Sequence, residues 1–281
     1  MNIHYREFQP SVSLQPYVDC YWYHEFEAGM YQDSPMQRCL PFGMIELIFV
    51  DGRCELSYNG SWQKLPSAFI AGVYKDVVTW KCVGPTTKFG IRLKPESLLS
   101  LFKVPAGTLF SSFADLPSVF GNYIRELTDK IEEAGCLSEY IRIAETFLGK
   151  LLEQSSHQRN YVTKASEIIR QTDGTISIAS LSHQLNISRR QLERGFRDAF
   201  GTSPKTYTRI IRFRNTYSYL LSRKKASLWA DAAYSFGYSD QAHFIKEFKT
   251  FAGVLPTGII HNSEEFFQSK GEKYKVEMLL N

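Results

Sequence analysis

Apolar and polar positions follow two different periods along the chain. Over roughly the first hundred residues the apolar positions come in short runs: Tyr21-Trp22-Tyr23, Met44 to Val50, Ala68 to Val73, Val77 to Val83 and Lys88 to Leu93. These runs are rich in β-branched and aromatic residues, which favour strands. Turn-formers separate them: Pro41 with Gly43, Asp51-Gly52, Asn59-Gly60, Gly72 and Gly84-Pro85. Residues 1–110 are therefore expected to form a β-barrel or sandwich-like domain. From Asp115 the period becomes helical, with Leu116, Val119, Phe120, Tyr123, Ile124, Leu127 and Ile131 on one stripe. After Gly135 a second stripe follows, with Ile141, Ala144, Phe147, Leu148, Leu151 and Leu152. Residues 111–155 thus read as two amphipathic helices, and two roles stand open: packing on the β-domain or pairing with a second copy. The polar stretch 156–160 is the expected linker.

Residues 161–261 read as helical throughout. Val162, Ala165, Ile168 and Ile169 share a face, and Gly174 ends that helix. Ser177 is placed to cap a short helix carrying Ala179, Leu181 and Leu185; Asn186-Ile187 is the turn; Ser188 caps a second helix with Leu192, Phe196 and Phe200 inside. The outward face of that second helix is Arg189, Arg190, Glu193, Arg194 and Arg197. A tight helix pair whose second member shows a row of guanidinium groups suits a helix lying in the major groove of DNA. Ser203-Pro204 opens a long helix to about Leu221. The pattern then repeats: Ser227 caps a helix with Ala230, Ala233 and Phe236, Gly237 ends it, and Ser239 caps a helix with Phe244, Phe248 and Phe251 inside. Its outward face is Gln241, Ala242, His243, Lys246 and Lys249. Ser188 to Ser239 is 51 residues, so two similar helix pairs flank one long helix. Residues 262–281 are expected to be a tail, as a short extra helix or a frayed end. The fold class is α+β multidomain: a β-rich domain with following helices, then an all-α domain of two helix-turn-helix units.

Charge sharpens this division. The net charge of +4 is unevenly placed: residues 160–261 hold 15 Lys or Arg against 7 Asp or Glu, and the remainder holds 18 against 22. Surplus positive charge on the helical module suits a polyanion partner. With 43% apolar and 22% charged residues in 281, the chain is an ordinary globular one. No run of 18 apolar residues is present, and His4, Arg6 and Glu7 stand where a signal peptide would be apolar. The expectation is a cytoplasmic protein without membrane contact. Cys20, Cys39, Cys54, Cys82 and Cys136 form no CxxC pair and are read as buried free thiols.

The spacings carry a family resemblance. Ile178-Ala179-x-Leu181, Ser188-x-x-x-Leu192-x-Arg194-x-Phe196, Gly201-x-Ser203-Pro204-x-x-Tyr207, Ala232-x-x-x-Phe236-Gly237-Tyr238-Ser239, Phe244-x-x-x-Phe248-Lys249 and Gly253-x-x-Pro256 resemble the AraC/XylS family of bacterial transcription regulators over about residues 160–261. The resemblance implies two reading helices in adjacent major grooves of double-stranded promoter DNA. By position it implies base contacts from Arg190, Glu193 and Arg194, then from Gln241, Ala242, His243 and Lys246. Arg189, Arg197, Lys205, Arg212 and Lys249 are phosphate candidates on their chemistry alone. Gly195 departs from the pattern, standing mid-helix where the family has a larger apolar residue, at a cost of roughly 1 kcal/mol in helix propensity. Leu255 before Pro256, and Ile259-Ile260, depart near the end.

Within about residues 5–110, Tyr17-Val18-x-x-Tyr21-Trp22, Pro41-x-Gly43-x-x-Glu46-Leu47-Ile48-Phe49 and Phe89-Gly90-Ile91-Arg92-x-x-Pro95 look like a β-rich regulatory domain of one subset of these regulators. Tyr21, Tyr23, Phe42, Trp62 and Trp80 are available to line an effector pocket, or they fill a core. Glu46 and Arg92 pair with each other, or one holds a polar ligand group. A small-molecule effector, a homodimer and, for an activator, RNA polymerase are the expected partners beside DNA. Only His4 and His24 precede residue 157, too few for a His-rich metal site, and no cofactor is expected. Without GxSxG, GxxxxGK[ST], GxGxxG or HExxH, no catalytic residue is assigned and no enzyme is expected. The alternative is a ligand-binding or interaction module whose helical part is an architectural DNA binder.

Overall fold

A computed structural model describes residues 2–58, 61–155, 160–223, 229–261 and 272–275. Of the expected linker only Asn160 is described; Ser227 and residues 262–271 lie outside the described residues.

Strands β1 (Asn2–Gln9), β2 (Val18–Glu27), β3 (Gln37–Cys39), β4 (Ile45–Asp51), β5 (Cys54–Tyr58), β6 (Ser61–Lys64), β7 (Ala68–Ala71), β8 (Val78–Cys82) and β9 (Thr86–Leu93) precede helix α1 (Pro95–Phe102). A short 3-10 turn (Ala106–Leu109) follows, then β10 (Phe113–Asp115) and helices α2 (Leu116–Phe120), α3 (Tyr123–Glu133) and α4 (Leu137–Glu153). The larger sheet runs β10-β7-β4-β9-β2-β1 and the smaller β3-β8-β5-β6, every pair antiparallel. The five strand runs of the sequence reading all fall on strands, whereas β1, β5 and β6, with their polar alternation, carry too few apolar residues to stand out. Helix α1 lies within the β-rich stretch 1–110, opened by Pro95 in its first turn, and is not among the expected elements. One expectation is corrected. The stripe from Leu116 to Ile131 is two helices, because Gly121 at φ 75° breaks it between α2 and α3.

Strand alternation gives the larger sheet two different faces. Tyr21, Ile45, Leu47, Phe49, Ile70, Phe89, Ile91 and Leu93 point toward α1–α4 and share their core. Trp22, Phe26, Ile48, Val50 and Phe69 point the other way and meet Cys54, Trp80 and Cys82 of the smaller sheet. The domain is therefore a sandwich with a helical layer on its outer face.

The interior between the sheets also holds charge. Arg92, 4% exposed, donates from Nε to Glu46 at 2.8 Å, from Nη1 to Glu7 at 2.8 Å and from Nη2 to the Tyr5 hydroxyl at 3.1 Å. Burial works against this guanidinium's charge, but Cys20, Tyr5, Glu46 and Glu7 around it outweigh burial and hold it protonated. Buried His24 lies edge-on to Trp80 at 5.4 Å. Burial, reinforced by the Lys88 ammonium, pushes the imidazole well below its usual range.

Helices α5 (Tyr161–Gln171), α6 (Ile178–Gln184), α7 (Arg189–Phe200), α8 (Pro204–Arg223), α9 (Trp229–Ser235), α10 (Gln241–Ala252) and α11 (Pro256–His261) make up the second half. Strand β11 (Glu272–Lys275) then pairs parallel with β1, Arg6 opposite Glu272 through Gln9 opposite Lys275. The tail, expected as a helix or a frayed end, thus supplies a strand, because an open sheet edge offers backbone groups for pairing. One apolar core runs from Phe89 and Leu148 through Val162, Phe196 and Tyr207 to Phe213 and Phe248.

A neutral buried His24 makes stability depend on pH. The unfolded imidazole takes up a proton below its ordinary value near 6.5 while the folded one resists, so the unfolded state binds more protons and stability falls as pH drops through that value. Chemical denaturation from pH 7.5 to 5.5 should show this loss, and the His24→Phe variant should flatten it; an unchanged slope would refute the assignment.

Candidate nucleic-acid interface

The first helix pair is built from its caps inward. The Ser177 hydroxyl accepts the Ser180 N–H at 3.0 Å and opens α6; the Ser188 hydroxyl accepts the Gln191 N–H at 3.1 Å and opens α7. Between them Asn186 takes φ 52°, a left-handed conformation that asparagine tolerates in a tight turn. Leu192, Phe196 and Phe200 are buried, while Arg189, Arg190, Glu193, Arg194 and Arg197 are all exposed. Gly195 is explained by close approach. A Cβ there would stand 2.5 Å from the Tyr161 hydroxyl and 2.7 Å from Val162 Cγ2, so the missing side chain lets α5 lie against α7. The glycine thus permits a closer packing of the two helices than any side chain would.

The second pair differs in its cap. Asp240, not Ser239, is the N-cap of α10: its carboxylate accepts the His243 N–H at 2.7 Å, and that bond draws its pKa down. Ser239 instead places its N–H and hydroxyl at 3.2 and 3.1 Å from His243 Nδ1. Phe244, Phe248 and Phe251 are buried; Gln241, Ala242, Lys246 and Lys249 are exposed, and His243 is half-buried. Ala179 and Ala230 both face solvent, and burial falls on Leu181 and on Ala232 with Ala233.

Helix α8 holds the two units in place. Arg209 donates from Nε and Nη2 to both oxygens of Glu247, each at 2.7 Å, so α10 is clamped to the rod by a bidentate pair. Burial alone would raise the Glu247 carboxyl, but Arg209 overrides it and holds the group below its usual range. A groove of about 460 Å³ separates the units, lined by Ser177, Lys205, Arg209, Arg212 and His243 among others. Lys205 is exposed there. Arg212 is half-buried: its Nε donates to the Gly174 carbonyl at 2.9 Å and the guanidinium lies 5.5 Å over the Tyr238 ring. It ties the α5–α6 turn to the rod while still facing the groove, so only part of it is available to a phosphate. Neither Arg209 nor Glu247 stands out in the sequence, since 38 residues separate the two halves of the pair.

The N-terminal pocket residues do not come together. Trp80 and Glu46 line a cavity of about 40 Å³ between the sheets, and Arg92 is bonded to Glu46. Tyr21 and Tyr23 sit on the opposite face of β2, because they alternate with Trp22 and His24; the Tyr21 hydroxyl is bonded to Glu145 of α4 at 2.9 Å. Trp62 is exposed on strand β6. Phe42 lies at the junction of the two halves, 6.0 Å from Tyr217 and beneath Arg214 at 5.9 Å. The seven residues are thus divided among the interior between the sheets, the helical side of β2, the exposed strand β6 and the junction with α8.

That surface is the part the sequence reading missed. A Cβ on Gly43 would lie 3.1 to 3.3 Å from Ile211, Tyr207 and Ile210, so the Pro41-x-Gly43 turn is a seat for α8. Gly107 and Gly201 face each other, each blocked at 2.7 Å by the other's backbone, and Gly201 also takes φ 67°. Arg170 of α5 makes a bidentate pair with Glu96 of α1 and donates to the Tyr207 hydroxyl at 2.9 Å. Arg214 of α8 donates to Asp19 at 3.2 Å, and Asp19 lies 3.8 Å from Arg92. A chain of charges thus runs from Glu46 through Arg92 and Asp19 to α8.

Comparison with known proteins agrees with this division. Residues 6–115 match a domain of unknown function (DUF6597), and residues 181–261 match a helix-turn-helix domain. The chain is 29% identical over 170 residues to the Msm operon regulatory protein of Streptococcus mutans, an alignment covering 59% of this chain and 60% of that protein. Among solved structures, ToxT from Vibrio cholerae O395 aligns with a TM-score of 0.46 and 12% identity over 86% of this chain and 97% of its own. The AraC-like transcriptional activator CuxR aligns at 0.27 and 14% identity over 77% and 95%. Among the described residues no helix is long and apolar enough to cross a membrane. The two capped helix pairs on one rod thus correspond to the matched helix-turn-helix domain, and the β-sandwich before them to the DUF6597 match.

Proposed function

We propose that this chain regulates transcription by reading promoter DNA in two adjacent major grooves, with α7 in one and α10 in the other. The observation that carries this is the pair of exposed faces, Arg190, Glu193 and Arg194 on one helix and Gln241, Ala242, His243 and Lys246 on the other, held by one rod. Arginine forks match the acceptors of guanine, and glutamine matches adenine. Arg189, Arg197, Lys205, the free side of Arg212 and Lys249 supply sequence-independent phosphate contacts around them. The operon-regulator name of the Streptococcus relative supports a role at promoters.

Selection of bound sequences from a random duplex pool at about 150 mM salt, where non-specific binding is suppressed, tests this. Two sequence blocks about one helical turn apart are expected; the absence of any motif would leave only an architectural role. Arg194→Ala should relax the preference at one base position and cost about 1–3 kcal/mol there. An unchanged profile would remove Arg194 from the reading set.

The N-terminal domain controls this binding through α8. What supports that reading is the charge chain from Glu46 to Arg214 and the pair of Arg170 with Glu96, which join the N-terminal domain to the rod and to α5. Pinning the rod pre-organises the two reading helices, and pre-organisation raises affinity by lowering the ordering cost of binding. Asp19→Asn and Arg214→Gln should each weaken operator binding several-fold, and the double variant should lose no more than either single one. Additive losses, or no loss, would show that the contact does not transmit control.

A further inference from the structure

Four of the five cysteines, Cys20, Cys39, Cys54 and Cys82, lie in or against the interior between the sheets, and Cys136 alone is exposed. Two of these four have nitrogen donors at their sulfur. Cys39 Sγ accepts the Trp80 indole N–H at 3.0 Å, and Cys20 Sγ accepts from Arg92 at 3.2 Å. Cys54 and Cys82 have each other, with their sulfurs 3.7 Å apart and the residues 2% and 0% exposed.

Their backbone positions suit a bond. Cys54 of β5 and Cys82 of β8 are directly opposite in antiparallel register. The Cys82 N–H donates to the Ser34 hydroxyl and its carbonyl accepts the Ser34 N–H, both at 2.9 Å. The Cys54 carbonyl accepts the Leu65 N–H at 3.0 Å. Each residue therefore turns its backbone groups away from the other strand, which defines a non-hydrogen-bonded pair. In such a pair the Cα atoms are about 4.5 Å apart and the side chains approach most closely. That separation lies within the range of about 4.4–6.8 Å that disulfides span. Closing the sulfurs from 3.7 Å to about 2.0 Å is within the reach of side-chain rotation. A small oxidant also has a place to sit: Cys54 lines the cavity of about 40 Å³, and one water-sized molecule needs only about 10–15 Å³.

We propose that Cys54 and Cys82 are a thiol-oxidation site that closes to a disulfide on exposure to hydrogen peroxide. One sulfur is first oxidised to a sulfenic acid, taking one oxygen from the peroxide and releasing one water. The other sulfur then attacks it, the S–S bond forms, and the sulfenic oxygen leaves as a second water. Two thiols and one peroxide give one disulfide and two waters, the two electrons passing from sulfur to oxygen; a dithiol reductant reverses the step. The contact between the two sulfurs draws the Cys82 thiol below its usual range and raises that of Cys54, so one member of the pair ionises more readily than the other. Burial bars larger oxidants and favours the second thiol over a second peroxide.

Intact mass and thiol labelling of the full chain before and after hydrogen peroxide test the site. After denaturation the number of alkylatable thiols should fall by two, the mass should drop by two hydrogen atoms, and digestion should yield one cross-linked pair joining the Cys54 and Cys82 peptides. A dithiol should restore both thiols, and the oxidised chain should melt at a higher temperature. Cys54→Ser and Cys82→Ser should each abolish the cross-link, with circular dichroism showing that the variants remain folded. Oxidation of Cys136 with both interior thiols still alkylatable, or a cross-link joining a different pair, would overturn the proposal; should either serine variant fail to fold, the peptide map of the unaltered chain still decides it.

Discussion

A guanidinium held between two β-sheets is the point on which the arrangement of this chain depends. Arg92 meets Glu46, Glu7 and Tyr5 within hydrogen-bond distance, and Asp19 stands just beyond. Removing one partner of such a buried pair costs about 3–5 kcal/mol, because the remaining charge is left in a poor solvent. The cluster draws β1, β2, β4 and β9 together at one level of the sheet. It also reaches out of the sandwich, since Asp19 is shared between Arg92 inside and Arg214 on the long helix α8. A feature that organises the first domain is thereby in contact with the rod that spaces the two helix pairs of the second.

The apolar core is continuous across the same boundary. The outer face of the larger sheet packs on α1 and α4, and the cluster passes without a gap into α5, α7 and α8. Backbone-to-backbone contact between Gly107 and Gly201, and the seat of Gly43 under α8, fix the separation of the two halves to within the size of a methyl group. Dense packing of this sort transmits displacement instead of absorbing it. The mutual placement of α7 and α10 is set by α8, by the Arg209–Glu247 clamp and by Arg212 on the Gly174 carbonyl.

How much was legible in the sequence depended on how local the cause was. The helix pairs were readable because a serine cap, an apolar residue every three or four positions and a glycine or asparagine turn lie within about twelve residues, as Ser188 with Leu192 and Phe196 illustrates. Ser239 misled for the same local reason: Asp240 beside it is as good an N-cap, and only the geometry of the preceding turn selects the carboxylate. Tyr21 and Tyr23 were available for a pocket on composition, but the register of β2 places them on the helical side, one residue out of phase with Trp22. Gly195 read as a weak spot until Tyr161 was seen to occupy the space a side chain would need.

The sequence by itself determined the change from a β-rich to a helical half, the basic character of the helical module and the two Arg- or Lys-bearing faces that suit DNA, since caps, period and charge act between residues near each other in the chain. Only the tertiary structure decided which groups meet across long separations: Glu46 with Arg92, Asp19 with Arg214, Glu96 with Arg170 and Cys54 with Cys82. These pairs lie 28 to 195 residues apart, and which of many equally charged or equally apolar side chains becomes a neighbour is set by strand register and by how closely two backbones approach.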